Sequence, residues 1–233
     1  WGVGSNGQLG NNALVLYSSP IQVGALTNWK LVDGGNGNNV SAIKTDGTLW
    51  VWGYNTSGVL GNNTDSMQYS SPIQIGSLTN WKTVSTSGNH MIAVKTDGTL
   101  WGWGQNFYGN YGVAGYRYSS DILLSPIQVG ALTSWNTTDV DTQVINYGGR
   151  QQRGPFVVDS FGKLWVWGNN TGNGTVDLYV SPIQLGTLTN WKQVASGTGT
   201  WAVKTDGTMW AWGDGQSGQL GNGTSGIAYS SPV

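Results

Sequence analysis

An internal repeat limits what this chain can become more than any other feature. Ser-Pro followed by Ile or Val recurs at Pro20, Pro72, Pro126, Pro182 and Pro232, at spacings of 52, 54, 56 and 50 residues. Trp-x-Trp-Gly ends at Gly53, Gly104, Gly168 and Gly213, and Trp1-Gly2 reads as the tail of one more. Leu-Thr-Asn-Trp-Lys starts at Leu26, Leu78 and Leu188 and is varied to Leu-Thr-Ser-Trp-Asn at Leu132. A unit this short cannot bury its own apolar face, so successive copies must stack on one another.

Each copy reads as strands. In the second, Met91–Thr96 and Leu100–Trp103 are β-rich runs joined by Asp97-Gly98. A two-residue Asp-Gly link is a strong hairpin signal, because a type I′ turn needs positive φ at both central positions. The same link stands at Asp46-Gly47 and Asp206-Gly207. Trp81–Val84 and Pro72–Ile75 supply two further short strands. No segment sustains a 3.6-residue apolar period, so almost no helix is expected. The chain is therefore all-β: β-propeller blades of about four antiparallel strands, in about four repeats of ~50 residues. Trp101 and Trp103 share one face of their strand, and the residue between the two tryptophans is Val51, Gly102, Val166 or Ala211, always small. A bulky face on one sheet can then meet a small face on the next, which makes the tryptophan pairs inter-blade core.

Composition narrows the function. Charged residues are 9% of the chain, against roughly 25% in an ordinary soluble domain, and the net charge is −1. No basic face is available for a nucleic acid. There is no cysteine, so disulfides and thiolate metal sites are excluded. No apolar run is long enough to insert in a membrane as a helix. No cofactor motif is present, because a phosphate loop needs a helix to open.

The stretch Val84, Gly88-Asn89-His90, Ala93-Val94, Asp97-Gly98, Leu100-Trp101, Trp103-Gly104 and Ser125-Pro126 resembles the repeat of the regulator of chromosome condensation family. Gly53–Gly61 and Gly213–Gly221 resemble that family's Trp-Gly, Asn, Gly, Leu-Gly segment. The resemblance covers essentially the whole chain and implies a propeller, typically of about seven blades. It does not carry over nucleotide exchange on a small GTPase, since function lives in particular loops rather than in the fold. The scarce charge and absent cysteine look most like bacterial and phage versions of the repeat.

Residues 1–20 and 212–232 repeat the same portion of a blade. That duplication predicts one propeller arc, residues 1–233 with repeat boundaries near the five prolines, cut from a longer chain and forming part of a seven-bladed ring. The opening at Trp1, without Met, points the same way. The rival expectation is an arc whose open blade faces associate with one another.

Departures from the repeat are where function is sought. The third copy departs most, with a long segment containing Asp139, Asp141, Arg150 and Arg153 and the hairpin Asp159-Ser160-Phe161-Gly162-Lys163. The loop before it is long and aromatic, with Phe107, Tyr108, Tyr111, Tyr116, Arg117 and Tyr118. Tyrosines on a displayed loop are common contact chemistry, so these six residues with Arg150 and Arg153 form the candidate ligand patch. The bland alternative is drift in tolerant loops. His90 is the sole histidine and sits at a family position that is usually structural. Asp139-Val140-Asp141 lacks calcium-loop spacing, and no Ser–His–acid set can be assembled, so no metal and no catalytic residue is expected. Asn62, Asn136 and Asn222 open glycosylation triplets, which matter only in a glycosylating pathway. The expected function is a non-enzymatic structural or adhesion module, extracellular or on a virion surface such as a phage tail or fibre. Its expected partners are other structural subunits or a cell-surface glycan, and a carbohydrate-binding propeller is the alternative.

Overall fold

The computed structural model describes residues 1–34, 38–105, 121–135, 155–168, 179–196 and 199–233. Within them the secondary structure is fourteen strands and one short 3₁₀ turn at Thr56–Gly58. The strands are β1 (Trp29–Gly34), β2 (Asn39–Lys44), β3 (Leu49–Gly53), β4 (Tyr69–Gln74), β5 (Trp81–Thr86), β6 (His90–Lys95), β7 (Leu100–Gln105) and β8 (Ile122–Gln128). They continue as β9 (Phe156–Val158), β10 (Leu164–Gly168), β11 (Tyr179–Gln184), β12 (Trp191–Ser196), β13 (Gly199–Lys204) and β14 (Met209–Gly213).

Neighbours in sequence are neighbours in space. The first sheet runs β1-β2-β3-β4 and the second β5-β6-β7-β8. In the third, β9-β10-β11 is joined by a single bridge from Trp135 to Asp159. In the fourth, β12-β13-β14 is joined by a bridge from Tyr229 to Gly213. Residues 1–20 repeat the end of such a sheet, with Gly2 bridged to Tyr17. Each sheet starts at a tryptophan (Trp29, Trp81, Trp135 or Trp191), and the Ser-Pro pairs at Pro72, Pro126 and Pro182 lie inside the last strand. An edge strand tolerates proline because its outer N–H groups have no ladder partner to lose.

The Asp-Gly links close β2–β3, β6–β7 and β13–β14. A side chain at Gly98, where φ is +80°, would also collide with the Thr133 carbonyl. The glycine of Trp-x-Trp-Gly marks a register shift in the ladder, between Gly102 and Gly104 in the second sheet. Gly104 takes φ +99°, as a bulge at this point requires.

Sheets stack bulky face to small face. Leu49 and Val51 of the first sheet share a core with Trp81 and Trp103 of the second. Leu100 of the second meets Trp135 and Trp167 of the third. Leu164 and Val166 of the third meet Trp191 and Trp212 of the fourth. The two tryptophans of a pair differ in role, however. Trp103 is fully buried and donates from Nε1 to the Val59 carbonyl of the preceding repeat at 2.9 Å. Trp52 donates likewise to the Gln8 carbonyl. Trp101 is only partly buried and packs edge-on to Trp81 of its own sheet at 6.1 Å. The second tryptophan is the inter-blade contact, and the first belongs to the end of its own blade.

Candidate functional site: the hairpin rim

The Asp-Gly hairpins and the Leu-Thr-Asn connectors lie at one end of the stacked sheets. Backbone bonds fix this: Trp81 N donates to the Gly47 carbonyl, Thr96 N to Asn80, and Trp191 N to Gly162. The rim is built from one unit used repeatedly. In the second sheet Asp97 Oδ1 accepts from the Thr99 N–H at 3.0 Å and from its hydroxyl at 2.7 Å. Thr99 Oγ1 in turn accepts from Trp101 Nε1 at 2.8 Å. Lys95 Nζ then stands 3.4 Å above the Trp101 ring and 4.8 Å from that of Trp81. Lys44 with Trp50 and Lys204 with Trp210 repeat the arrangement at 3.4 and 3.8 Å. A cation over an indole face is attracted by the ring quadrupole, and its apolar stem covers the ring edge. Hydrogen bonds from Thr99 hold the Asp97 carboxyl below the usual carboxylate range, and Thr48 and Thr208 do the same for Asp46 and Asp206. Burial pulls the Lys95 ammonium below its ordinary value, against the attraction of Asp97.

The third sheet rewires this unit. Asp159 occupies the place of Lys95, Phe161 that of Asp97 and Lys163 that of Thr99. Asp159 is buried; its Oδ1 accepts from the Phe161 and Lys163 N–H groups, and its Oδ2 from Trp165 Nε1 at 2.9 Å. One carboxylate thus replaces both the lysine over the ring and the threonine relay. The turn position is freed from its structural task, and Phe161 is 66% exposed there. Along the same rim each connector shows an exposed leucine: Leu26, Leu78, Leu132 and Leu188. The Phe161 turn touches the connector that carries Leu188, since Gly162 packs on the Thr189 carbonyl. An exposed aromatic on a rim that also displays leucines is contact chemistry rather than core.

The opposite end holds a buried polar seam between the first two sheets. Asp33 accepts from the Thr86 N–H, Ser41 and Thr86 share a hydroxyl hydrogen bond, and Asn39 donates to the Gly88 carbonyl. Burial raises the Asp33 carboxyl above its ordinary value. His90 Nδ1 meets Ser87 Oγ at 2.8 Å, and the same hydroxyl bonds the His90 carbonyl and N–H. The ring is completely buried, and desolvation lowers its pKa to about 4. A neutral imidazole out of reach of solvent joins strands; it has no access to a substrate.

These geometries accord with known proteins. A profile described as the regulator of chromosome condensation (RCC1) repeat matches residues 46–94 and 206–233, and a second with the same description matches residues 81–110. Residues 46–110 and 206–233 are RCC1 repeats. The ultraviolet-B receptor UVR8 of Arabidopsis thaliana is 26% identical over 242 residues, covering 100% of this chain and 52% of the receptor. The human E3 ubiquitin-protein ligase HERC2 is 28% identical across 97% of this chain but 5% of the ligase. This chain spans about half of the first relative and a small part of the second. Among solved structures, human WBSCR16 superposes with a TM-score of 0.78 at 21% identity, covering 99% of this chain and 60% of that one. Prp20p of Saccharomyces cerevisiae, studied with its binding to Gsp1p and histones, gives 0.73 at 21% identity, covering 100% and 57%. At such identities the likeness shows the propeller fold and no more.

Sequence reasoning placed the RCC1 chain's ligand patch on Phe107, Tyr108, Tyr111, Tyr116, Arg117, Tyr118, Arg150 and Arg153, and these lie outside the described residues, as do Asp139 and Asp141. The lysine–tryptophan stacks were missed. Their signal was legible in Lys-Thr-Asp-Gly-Thr-x-Trp, where a hairpin closed by Asp-Gly folds the lysine back over the tryptophan.

Proposed function

We propose that this chain is a non-catalytic protein-binding module that works through its hairpin rim. The observation carrying this reading is Phe161, an exposed aromatic at a turn where the other three hairpins place an aspartate. Relatives named as an ultraviolet-B receptor and a ubiquitin ligase differ in task, so a shared scaffold that presents partner surfaces accounts for the likeness better than a shared chemistry. Quantitative affinity purification with the wild-type chain, Phe161→Asp and Met67→Ser, an exposed side chain away from the rim, tests the reading. A partner should be retained by wild type and by Met67→Ser, and lost about 30-fold or more with Phe161→Asp, the scale of a central aromatic anchor. A partner held equally by all three chains would overturn it.

Finer readings rest on composition. Sparse charge and an Asn-, Thr-, Ser- and Gly-rich surface support a structural or adhesion role outside a cell or on a virion, which stable co-purification with other structural subunits would test. The aromatic run from Phe107 to Tyr118 supports glycan recognition. Tyr116→Ala with Tyr118→Ala should then abolish retention on a glycan array, and an unchanged profile rejects it.

A further inference from the structure

Three of the four sheets place a lysine at the same spot, and the third does not. In the first, second and fourth sheets the connector tryptophan meets the first tryptophan of Trp-x-Trp-Gly edge to face, forming a wedge. Trp29 pairs with Trp50, Trp81 with Trp101 and Trp191 with Trp210, at ring-centroid distances of 6.1, 6.1 and 6.4 Å. A lysine of the same sheet fills each wedge. Its ammonium stands 3.4–3.8 Å from one ring centroid and 4.8–5.1 Å from the other. Lys44, Lys95 and Lys204 are all buried there, and each is attracted by the aspartate of its own turn.

The third sheet keeps the wedge and exchanges the cation for an anion. Trp135 and Trp165 meet at 5.6 Å with their planes 68° apart, and Trp165 is partly exposed, as Trp101 is. This sheet is covered on one face by the second sheet and on the other by the fourth. Asp159 holds the lysine's position in the chain. Its carboxylate accepts from the Trp165 indole and from two backbone N–H groups. An indole N–H points outward in the ring plane, so the carboxylate lies at the edge of Trp165 and not over its face. A carboxylate offers about four acceptor sites, and three bonds leave about one for a further donor. Lys163 takes the place of Thr99 and, among the described residues, stacks on neither ring. Phe161 faces solvent.

A buried carboxylate beside two indole rings favours one class of ligand. An ammonium is attracted by the ring quadrupoles and forms a charge-assisted hydrogen bond with the carboxylate. The chain itself shows three times that a lysine side chain fits such a wedge. We infer that the third sheet takes its cation from outside: a lysine side chain of a bound protein enters the Trp135–Trp165 wedge, its stem along the Trp165 ring and its ammonium toward Asp159. The source of that lysine rests on the reading of the rim as a protein-binding surface; the preference for an ammonium rests on the wedge alone. Phe161 stands in the same turn as Asp159, so one segment of a partner can reach both.

Indole ¹⁵N–¹H spectra test this, with the chain titrated by Nα-acetyl-lysine methylamide and by the neutral Nα-acetyl-norleucine methylamide at matched ionic strength. The Trp165 resonance is identified by its loss in Trp165→Phe. It should move with the lysine amide at an affinity about tenfold or more above that of the norleucine amide, the scale of a desolvated cation on an indole face. The resonances of Trp50, Trp101 and Trp210, whose wedges hold their own lysines, should stay in place. The triple variant Asp159→Lys, Phe161→Asp, Lys163→Thr gives the third sheet its own lysine and should abolish the response. Circular dichroism with a thermal melt confirms that this variant folds, and the comparison of the two amides needs no variant. The titration contains no partner, so it reads the wedge whether or not partner retention depends on Phe161; Phe161→Ser should keep the response. Equal shifts with both amides, no shift of Trp165, or a response that survives in the folded triple variant would overturn the inference. So would a response seen only after Lys163→Gln, since Lys163 would then fill the wedge itself.

Discussion

Replacing Gly61 by Ala tests whether the sheets are registered by seating one indole on one glycine. Two costs are involved, and Gly76, where a Cβ would meet nothing within 4 Å, separates them. Gly61 and Gly76 sit at φ +69° and +61°, so an alanine at either carries the left-handed backbone penalty of about 1–2 kcal/mol. Only at Gly61 is the space taken. The new Cβ would stand 2.5 Å from Trp103 Nε1, 2.6 Å from Cδ1 and 3.1 Å from Cε2, where carbon contacts prefer about 3.5–4 Å. The ring cannot retreat freely, because Trp81 packs against it with ring centroids 6.2 Å apart and Nε1 is tied to the Val59 carbonyl at 2.9 Å. Overpacking of this kind costs about 1–3 kcal/mol. Gly61→Ala should therefore lose about 2–5 kcal/mol in all, and Gly76→Ala only the backbone share of about 1–2 kcal/mol. Urea unfolding followed by tryptophan fluorescence measures both. Equal losses would refute the reasoning, since the indole would then be indifferent to what lies beneath it.

Burial of His90 makes stability depend on pH. Its folded pKa of about 4 lies below the ordinary 6.5, so the unfolded chain binds a proton that the folded chain does not. Stability is full above pH 6.5 and falls as the pH drops toward 4, by up to ~3 kcal/mol. His90→Asn, which copies Asn39 of the first sheet, should flatten that slope in urea titrations at stepped pH. Asp33 acts in the opposite sense, because its raised pKa lets protonation favour the folded state in the window above 3.8. Asp159→Lys alone should cost about 2–4 kcal/mol by stranding Trp165 Nε1 and two backbone N–H groups. Adding Phe161→Asp and Lys163→Thr should restore most of it, and simple additivity in the triple variant would count against the exchange described for the third sheet. Trp103→Phe should cost about 1–3 kcal/mol by leaving the buried Val59 carbonyl unpaired, read in the same unfolding assay; a neutral result would show that the bond adds nothing.

The repeat, the strands and the hairpins were legible because they are local. An Asp-Gly link between β-rich runs dictates its turn through backbone sterics alone, and a period-2 pattern dictates which side chains share a face. Alternation of bulky and small residues also announced that sheets would stack. Local rules could not say which tryptophan of a pair crosses to the neighbouring repeat, because both point the same way from the strand. That was decided by the glycine corner of the preceding repeat, some forty residues away in sequence (44 from Val59 to Trp103).

The third hairpin shows the same division. Its odd sequence was visible, and so was its departure from Lys-Thr-Asp-Gly-Thr. What tertiary structure added is that Asp159 turns inward and satisfies Trp165, which leaves Phe161 displayed. A sequence records that a charge has changed sign; only packing shows whether its new partners are buried donors or water. The sequence by itself therefore determined the blade, since every rule behind it acts within a few residues. The seat of Trp103 on Gly61 and the exposed Phe161 were decided by what stands opposite them in space, and opposition across a stack of sheets is a property of the fold.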